Sequence, residues 1–434
     1  MKYDIIGMLQ RRDRENTLMI YLLFLSVIAT SYVFYLSMVD KYVPLMSSMW
    51  DEIIVVFIFV YTIIVKYGYY HKQSKFLYLL GLISIIGFIG NYRTHSSPKV
   101  IILGWYSFMK PLLLFWSLCQ YRFRWNDFMK LMKMFTLFFP IILISYILDF
   151  ITPSFRGMLG LPNGEIRVGI RSLAGFFRKE TIGILWAQVY CIFYLYYSIE
   201  RSRWKSYVSI AIIFMSLKVK DVFGFVMGWP TLLVRKIKTI YLFIAMAMIF
   251  VFFNLYAILL PQHYESYFKE GDDSNVARVV LTYTSLKISK DYFPFGVGFG
   301  KYASPVSRDT QSEIYHQYGI DHVYGLSFAK LEDSSKMNYM CDTFWPMILG
   351  ELGVLGTICY LFLLGYTFYP FLKRYIRNTH DKGVLFPSVL FIIFLMTTIG
   401  KPVFMGPPHS LVLWGLAGIF YSLKDKSYPY KQIN

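Results

Sequence analysis

Apolar residues recur along this chain in uninterrupted runs of about 20, the length at which a helix crosses a ~30 Å hydrocarbon core at 1.5 Å per residue. A backbone inside hydrocarbon must satisfy its own hydrogen bonds, so each run has to be a helix or a strand of a closed barrel. Barrel strands read as alternating segments of roughly ten residues, whereas these runs are continuously apolar. The expected fold is therefore all-α, a polytopic integral membrane bundle of about twelve transmembrane helices. The spans are placed near residues 17 to 39, 48 to 66, 76 to 90, 100 to 119, 131 to 151, 180 to 198, 206 to 218, 222 to 234, 238 to 260, 343 to 366, 384 to 399 and 407 to 423. The third, seventh and eighth are short and are expected to tilt, break or re-enter. The first run, beginning near Thr17, is of span length without a small-residue cleavage site, so it reads as a membrane helix that is its own signal.

A net charge of +18 would suit nucleic acid, but its placement argues for a lipid surface. The cations sit in short loops between apolar runs, where they orient a membrane protein and meet anionic headgroups. Arg11, Arg12 and Arg14, then Lys66, Lys72 and Lys75, Arg122 and Arg124, Arg201, Arg203 and Lys205, Arg235, Lys236 and Lys238, Lys373, Arg374 and Arg377, and Lys424 and Lys426 fall on one side by parity. That side is expected to be the cytoplasm, with both termini inside. Of the four cysteines, Cys119, Cys191, Cys341 and Cys359, only Cys341 lies outside a span. No disulfide framework or metal-ligand spacing follows from them.

Three stretches result: residues 1–260 with nine helices and short loops, 261–342 as one large outer loop, and 343–434 with three more helices and a tail. A loop far beyond ~15 residues is expected to be a folded or docked element with a function. It is rich in tyrosine (Tyr264, Tyr267, Tyr283, Tyr292, Tyr302, Tyr315, Tyr318, Tyr324 and Tyr339). Such rings suit sugars, or form an aromatic belt at the membrane interface. Phosphate-loop and H-E-x-x-H motifs are absent, and "GVGFGK" (296–301) reads as a turn.

Three segments carry the chemistry. The first outer loop, about residues 152 to 179, holds Arg156, Arg167 and Arg171, with Arg178, Lys179 and Glu180 where the sixth span opens. One such cation can snorkel to headgroups; a cluster suits a lipid diphosphate, whose oxygens match the guanidinium fork. In "NVARVVLTYTSLKISKDYFPFGVGFGKY" (275–302) an amphipathic helix ends at Asp291, followed by a Pro-Gly turn. Arg278 near its start opposes the helix dipole, so it either pairs with a carboxylate such as Asp272 or Asp273 or faces an anion. In "CDTFWPMILGELGVLG" (341–356), Asp342 is placed to cap the tenth span. Glu351 lies inside that span, where an ionisable group is either functional or a paired carboxylate of the bundle.

These segments resemble the bacterial O-antigen polymerase and O-antigen ligase superfamily of membrane glycosyltransferases. "RSLAGFFRKETIG" resembles the family's arginine-glycine segment, with Arg171, or its close competitor Arg167, in the arginine position. "ARVVLTYTSLKISKDYFPFGVGFGKY" resembles its second arginine segment and points to Arg278, and "DTFWPMILGELGVLG" its Glu-x-Gly motif. Ligases of the family carry a histidine where this chain has Asp342, which favours a polymerase; a ligase or a flippase of lipid-linked oligosaccharide are the alternatives. The resemblance implies an inner-membrane enzyme that takes undecaprenyl-diphosphate-linked oligosaccharide at the periplasmic face. It implies no cofactor, metal or nucleotide sugar, and a chain-length regulator as partner. Arg171 and Arg278 would stabilise the leaving diphosphate and Asp342 would serve the acceptor hydroxyl as base or orienting group. Arg167, Arg178, Lys179, Lys218 and Lys220 would extend the basic surface, and Tyr283 and the other loop tyrosines would hold the glycan.

Overall fold

The apolar runs fold as helices in the computed structural model, which describes residues 2–32, 50–66, 74–161, 163–164, 166–167, 170–177, 179–197, 202–216, 218, 221–222, 224–226, 228, 274–327, 339–378 and 381–423. In chain order these are α1 (Lys2–Tyr32), α2 (Trp50–Val65), α3 (Ser74–Arg93), α4 (Pro98–Cys119), α5 (Trp125–Leu137), α6 (Phe139–Ile151), α7 (Phe155–Met158), α8 (Glu180–Tyr196) and α9 (Trp204–Met215), then α10 (Ser274–Asp291), α11 (Pro305–Asp309), α12 (Ile314–Gln317), α13 (Trp345–Arg377), α14 (Lys382–Thr397) and α15 (His409–Ser422). Among the described residues the strands are a two-residue antiparallel pair, β1 (Ile166–Arg167) and β2 (Ile170–Arg171). Four helical stretches among them, Ser74–Arg93, Pro98–Cys119, Trp125–Ile151 and Trp345–Arg377, are long and apolar enough to cross a membrane. Apart from that strand pair, the regular structure of the described residues is helical, as suits a membrane protein.

Several spans outgrow their expected lengths, among them the first, whose helix starts at Lys2 rather than near 17, and the fifth, which starts at Trp125 rather than near 131. The third, expected at 76 to 90, forms the 20-residue α3, because its polar end residue Asn91 is used in packing. The tenth, expected to stop at 366, runs to Arg377, where Arg374 and Arg377 lie favourably at the negative end of the helix dipole. The ninth expected span, most of the eighth, and residues 261–273 and 328–338 of the long loop lie outside the described residues.

α4 packs against α2, α3 and α15, and its Phe115 ring meets Phe76 at 4.9 Å and Trp414 at 5.8 Å. α6 shows how the pattern sorts its faces. Ile142, Tyr146 and Asp149 turn inward while Ile141, Ile144, Ile147 and Phe150 are exposed, an apolar surface that suits lipid. At one end of the bundle Lys66 pairs with Glu15 at 2.5 Å, Asn16 Nδ2 donates to Arg122 O at 2.9 Å, and Tyr197 OH donates to Lys382 O at 2.5 Å. The 22 residues of α4, roughly 33 Å at 1.5 Å per residue, separate that end from the one that carries the site.

There the chain after α10 drives a glycine-rich wedge into the bundle. α13 is broken at Gly353 (φ +63°), and the wedge bonds across the break. Val297 N–H donates to Gly350 O at 3.0 Å, Gly298 N–H to Glu351 O at 2.8 Å, and Leu355 N–H to Pro294 O at 3.1 Å. α3 and α4 come close enough that a Cβ on Gly90 would sit 2.6 Å from Gly298 N, and one on Gly104 2.5 Å from Gly300 N. Asn91 completes the seam: its Nδ2 donates to Phe299 O and its Oδ1 accepts from Phe299 N–H, both at 2.9 Å. "GVGFGK" is thus a turn with a purpose. Glu351, buried in α13, accepts from Ser304 Oγ at 2.7 Å and Tyr302 N–H at 3.2 Å, and from the backbone N–H groups of Gly300 and Lys301. Successive amides form a concave nest for this carboxylate.

Candidate functional site

The segment expected to form the first outer loop is organised around Asp149, in the last turn of α6 and wholly buried. Its Oδ2 accepts the N–H groups of Ala174 and Gly175, both at 2.9 Å, and its Oδ1 accepts from Arg171 Nη1 at 2.7 Å. Arg171 also donates to Pro153 O at 3.3 Å and to the backbone oxygen of Asp149. Arg156, 1% exposed, donates through Nη1 to Gly175 O at 2.9 Å and Phe177 O at 2.8 Å. Desolvation weakens its hold on its proton, and the charges of Asp149 and Glu180 oppose that. Arg156 and Arg171 therefore hold the 152–179 loop itself. Of its other cations, Arg167 contributes its backbone to β1 and Arg178 lies outside the described residues, as does Lys220 of the turn after α9.

Next to this scaffold runs a chain of acid–base pairs drawn from distant segments. Glu180, the first residue of α8, sits where a helix dipole favours an anion; it accepts from Ser172 Oγ at 3.1 Å and lies 3.5 Å from Lys218 Nζ. Lys179 precedes it, exposed, and its charge acts on Cys341. Lys218 O accepts the N–H groups of Asp221 and Val222 at 2.9 and 3.0 Å. Asp221 in turn holds Lys401 Nζ at 2.5 Å. Lys401, in the turn between α14 and α15, was no candidate from sequence. It is found there by asking which cations lie in the turns opposite the basic loops.

The third part is Arg278 with Asp342. Ala277, Val280, Leu281 and Ile288 of α10 are buried, and α10 packs on α13, which leaves Arg278 at the edge of the contact. Its Nη2 lies 2.7 Å from Asp342 Oδ2, with side-chain exposures of 25% and 34%. Asp342 does not cap α13. The turn in which its N–H donates to Tyr339 O at 3.0 Å sets it two residues before the N-cap, Phe344, which has no side-chain cap. The carboxylate therefore faces Arg278, and Arg278 pairs with it rather than being shown with Asp272 or Asp273, which lie outside the described residues. Trp345 Nε1 donates to Thr398 Oγ1 at 3.0 Å, which ties the Asp342 segment to the Lys401 turn.

The tyrosines divide. Tyr302 and Tyr315 are wholly buried, their rings 5.8 Å apart; Tyr302 OH donates to Leu281 O at 2.6 Å, and Tyr315 OH accepts from Ala303 N–H at 2.9 Å. They are core, not platforms for sugars. Tyr283 lies on α10 with Lys287 Nζ 4.7 Å above its ring, Tyr318 OH donates to Asp291 at 2.8 Å, and Tyr264 and Tyr267 lie outside the described residues.

The geometry thus brings Arg278, Asp342, Lys218 and Lys401 to one end of the bundle and sets Arg171 into the scaffold beside them. Such a set of partly exposed cations, each beside a carboxylate, can take an anion by exchanging partners. Neither the family models nor the curated proteins compared with this chain match it.

Proposed function

We propose that this chain is a membrane glycosyltransferase, a surface-polysaccharide polymerase that joins oligosaccharide repeat units carried on undecaprenyl diphosphate. In this reading it lies in the inner membrane of a bacterium, with both termini in the cytoplasm and the charged end toward the periplasm. The observation that carries the reading is the Arg278–Asp342 pair, 2.7 Å apart and open to solvent, at an end where other cations converge.

Arginine binds phosphate with the same fork it offers a carboxylate, so a diphosphate can displace Asp342 from Arg278 and leave the carboxylate beside the reacting centre. The acceptor hydroxyl oxygen then attacks the anomeric carbon while the bond from that carbon to the diphosphate oxygen breaks. The electron pair leaves with the diphosphate, whose growing charge Arg278 meets, and the hydroxyl proton passes to Asp342. A preorganised donor at such a site contributes about 10²–10³ in rate, and attack opposite the leaving group inverts the anomeric centre.

The test is reconstitution of the full-length protein in nanodiscs with the lipid-linked repeat unit. A ladder of longer glycans is expected from the wild type and none from Arg278→Glu at equal folded level. Full polymerisation by that variant would refute the assignment. One observation favours a second reading, transport of the same lipid: Lys110, in the middle of α4, is buried with Asp51 and with Glu52 at 3.0 Å, an ionised group at a depth where transporters place theirs. Translocation of a fluorescent lipid-linked oligosaccharide with no ladder would select it.

A further inference from the structure

We infer that Lys401, with Lys218 beside it, is the second cationic contact for the diphosphate of the lipid-linked donor, and that Arg171 is a positioning residue that never touches it. The inference rests on the polymerase reading and gives its site a different pair of anion-binding groups from the one the sequence suggests.

Arg171 is already engaged. Its terminal nitrogens meet a carboxylate oxygen and two backbone oxygens, and its partner Asp149 is wholly buried and grips two further amides. A diphosphate that took Arg171 would strip the buried Asp149 carboxylate of its hydrogen-bonded ion-pair partner and leave Arg156 as the remaining cation whose charge acts on it, and breaking a buried pair from one side is strongly unfavourable. Lys401 stands differently. Its ammonium has three donors, and Asp221 holds it through a single oxygen. The side chain is 13% exposed, as is that of Lys218.

The segments also converge. Thr398, three residues before Lys401, is bonded to Trp345, three residues after Asp342. The charges of Lys218, Asp221 and Asp342 all act on the Lys401 ammonium. Among the described residues Lys179, Lys218, Arg278 and Lys401 lie at this end with Glu180, Asp221 and Asp342, beside the Arg308–Asp309 and Arg171–Asp149 pairs. Glu180 and Asp221 each answer one of the two lysine ammonium groups, whereas a group with two or more negative charges can bridge both at once. The ligand class is a diphosphate, and its lipid tail is free to lie along the exposed apolar faces of the bundle.

The experiment is titration of full-length protein, in nanodiscs of uncharged phosphatidylcholine, with inorganic pyrophosphate. The wild type is expected to bind it, Lys401→Met to weaken binding at least tenfold, Lys401→Arg to restore it to within threefold, and Arg171→Met to stay within threefold at a temperature where it remains folded. Because Lys401→Met strands Asp221, the double variant Asp221→Asn with Lys401→Met is measured alongside; it removes the pair without leaving a bare carboxylate and is expected to bind as weakly as Lys401→Met. Wild-type binding that survives in the double variant, or that is lost in folded Arg171→Met, overturns this inference and leaves the polymerase reading standing. No binding by the wild type of either pyrophosphate or polyprenyl diphosphate overturns both. Displacement of bound pyrophosphate by phosphatidylglycerol as readily as by polyprenyl diphosphate overturns the diphosphate assignment in favour of a general headgroup site.

Discussion

Replacing Asn91 with alanine tests the seam that fixes the site to the bundle. Asn91 is wholly buried, and so is its partner Phe299. The substitution removes one acceptor from Phe299 N–H and one donor to Phe299 O, each bond 2.9 Å long, and the bond from Nδ2 to Ser96 Oγ at 3.1 Å. A buried backbone group left without a partner costs about 1–3 kcal/mol, so the two orphaned groups of Phe299 imply a loss of roughly 2–6 kcal/mol, reduced if water reaches the seam. Ser96 is partly open and adds little. Thr94→Val is the control: its hydroxyl donates to Val297 O at 3.0 Å, across the same seam, but from a half-exposed position, so its loss is expected to stay below about 1 kcal/mol. Unfolding of the full-length protein in mixed micelles of rising dodecyl sulfate content, followed by tryptophan fluorescence, measures both. If Asn91→Ala costs no more than Thr94→Val, the wedge is not held by these bonds and the account of how α10 is positioned is wrong.

Lys110→Met leaves Asp51 and Glu52 without their ammonium in a setting where Lys110 and Asp51 are each 5% exposed, and breaking a buried pair from one side typically costs about 3–5 kcal/mol. The same unfolding assay is expected to recover part of that loss when Asp51→Asn is added, and no recovery would argue that packing, not charge, is what Lys110 supplies. Beside the site, burial pushes the thiol of Cys341 up to about 12, with Arg308 pulling against it. It therefore stays protonated at pH 8, and maleimide labelling is expected at least about tenfold slower than for a free thiol, accelerating as pH rises; fast labelling at pH 7 would contradict the packing drawn around Asp342.

The helical class was legible because hydrophobic continuity is a local property, and so was the α10 helix with its turn; of the twelve expected spans, four stretches among the described residues are long and apolar enough to cross a membrane. The site was less so, since its pairings are tertiary. Arg171 reads as an available cation until one sees that Asp149, 22 residues earlier, sits on the buried face of an apolar run; nothing in that run signals a carboxylate in wait. Asp342 followed the rule for a helix cap, but the rule depends on register, and a turn two residues long was enough to redirect it. Lys401 was invisible for the opposite reason: a single lysine in a short turn carries no pattern, and only the fold brings it to Asp221. The glycines of "GVGFGK" were recognised as a turn, while their partners Gly90, Gly104 and Glu351 belong to other helices.

Because backbone from residues 294–298 bonds on both sides of the interruption at Gly353, the long segment and the membrane bundle share one interlocked joint. The segment is consequently not a portable module. A chimera that exchanged residues 274–342 with another chain would need Asn91, Gly90, Gly104 and Gly353 to travel with it. Expressed by itself, the segment would lack the surface that shapes it. Variation in this part of the molecule is therefore constrained from the lipid side, and the constraint extends into the α11–α12 stretch, where Ser307 and Tyr315 are wholly buried and Ser304 bonds Glu351.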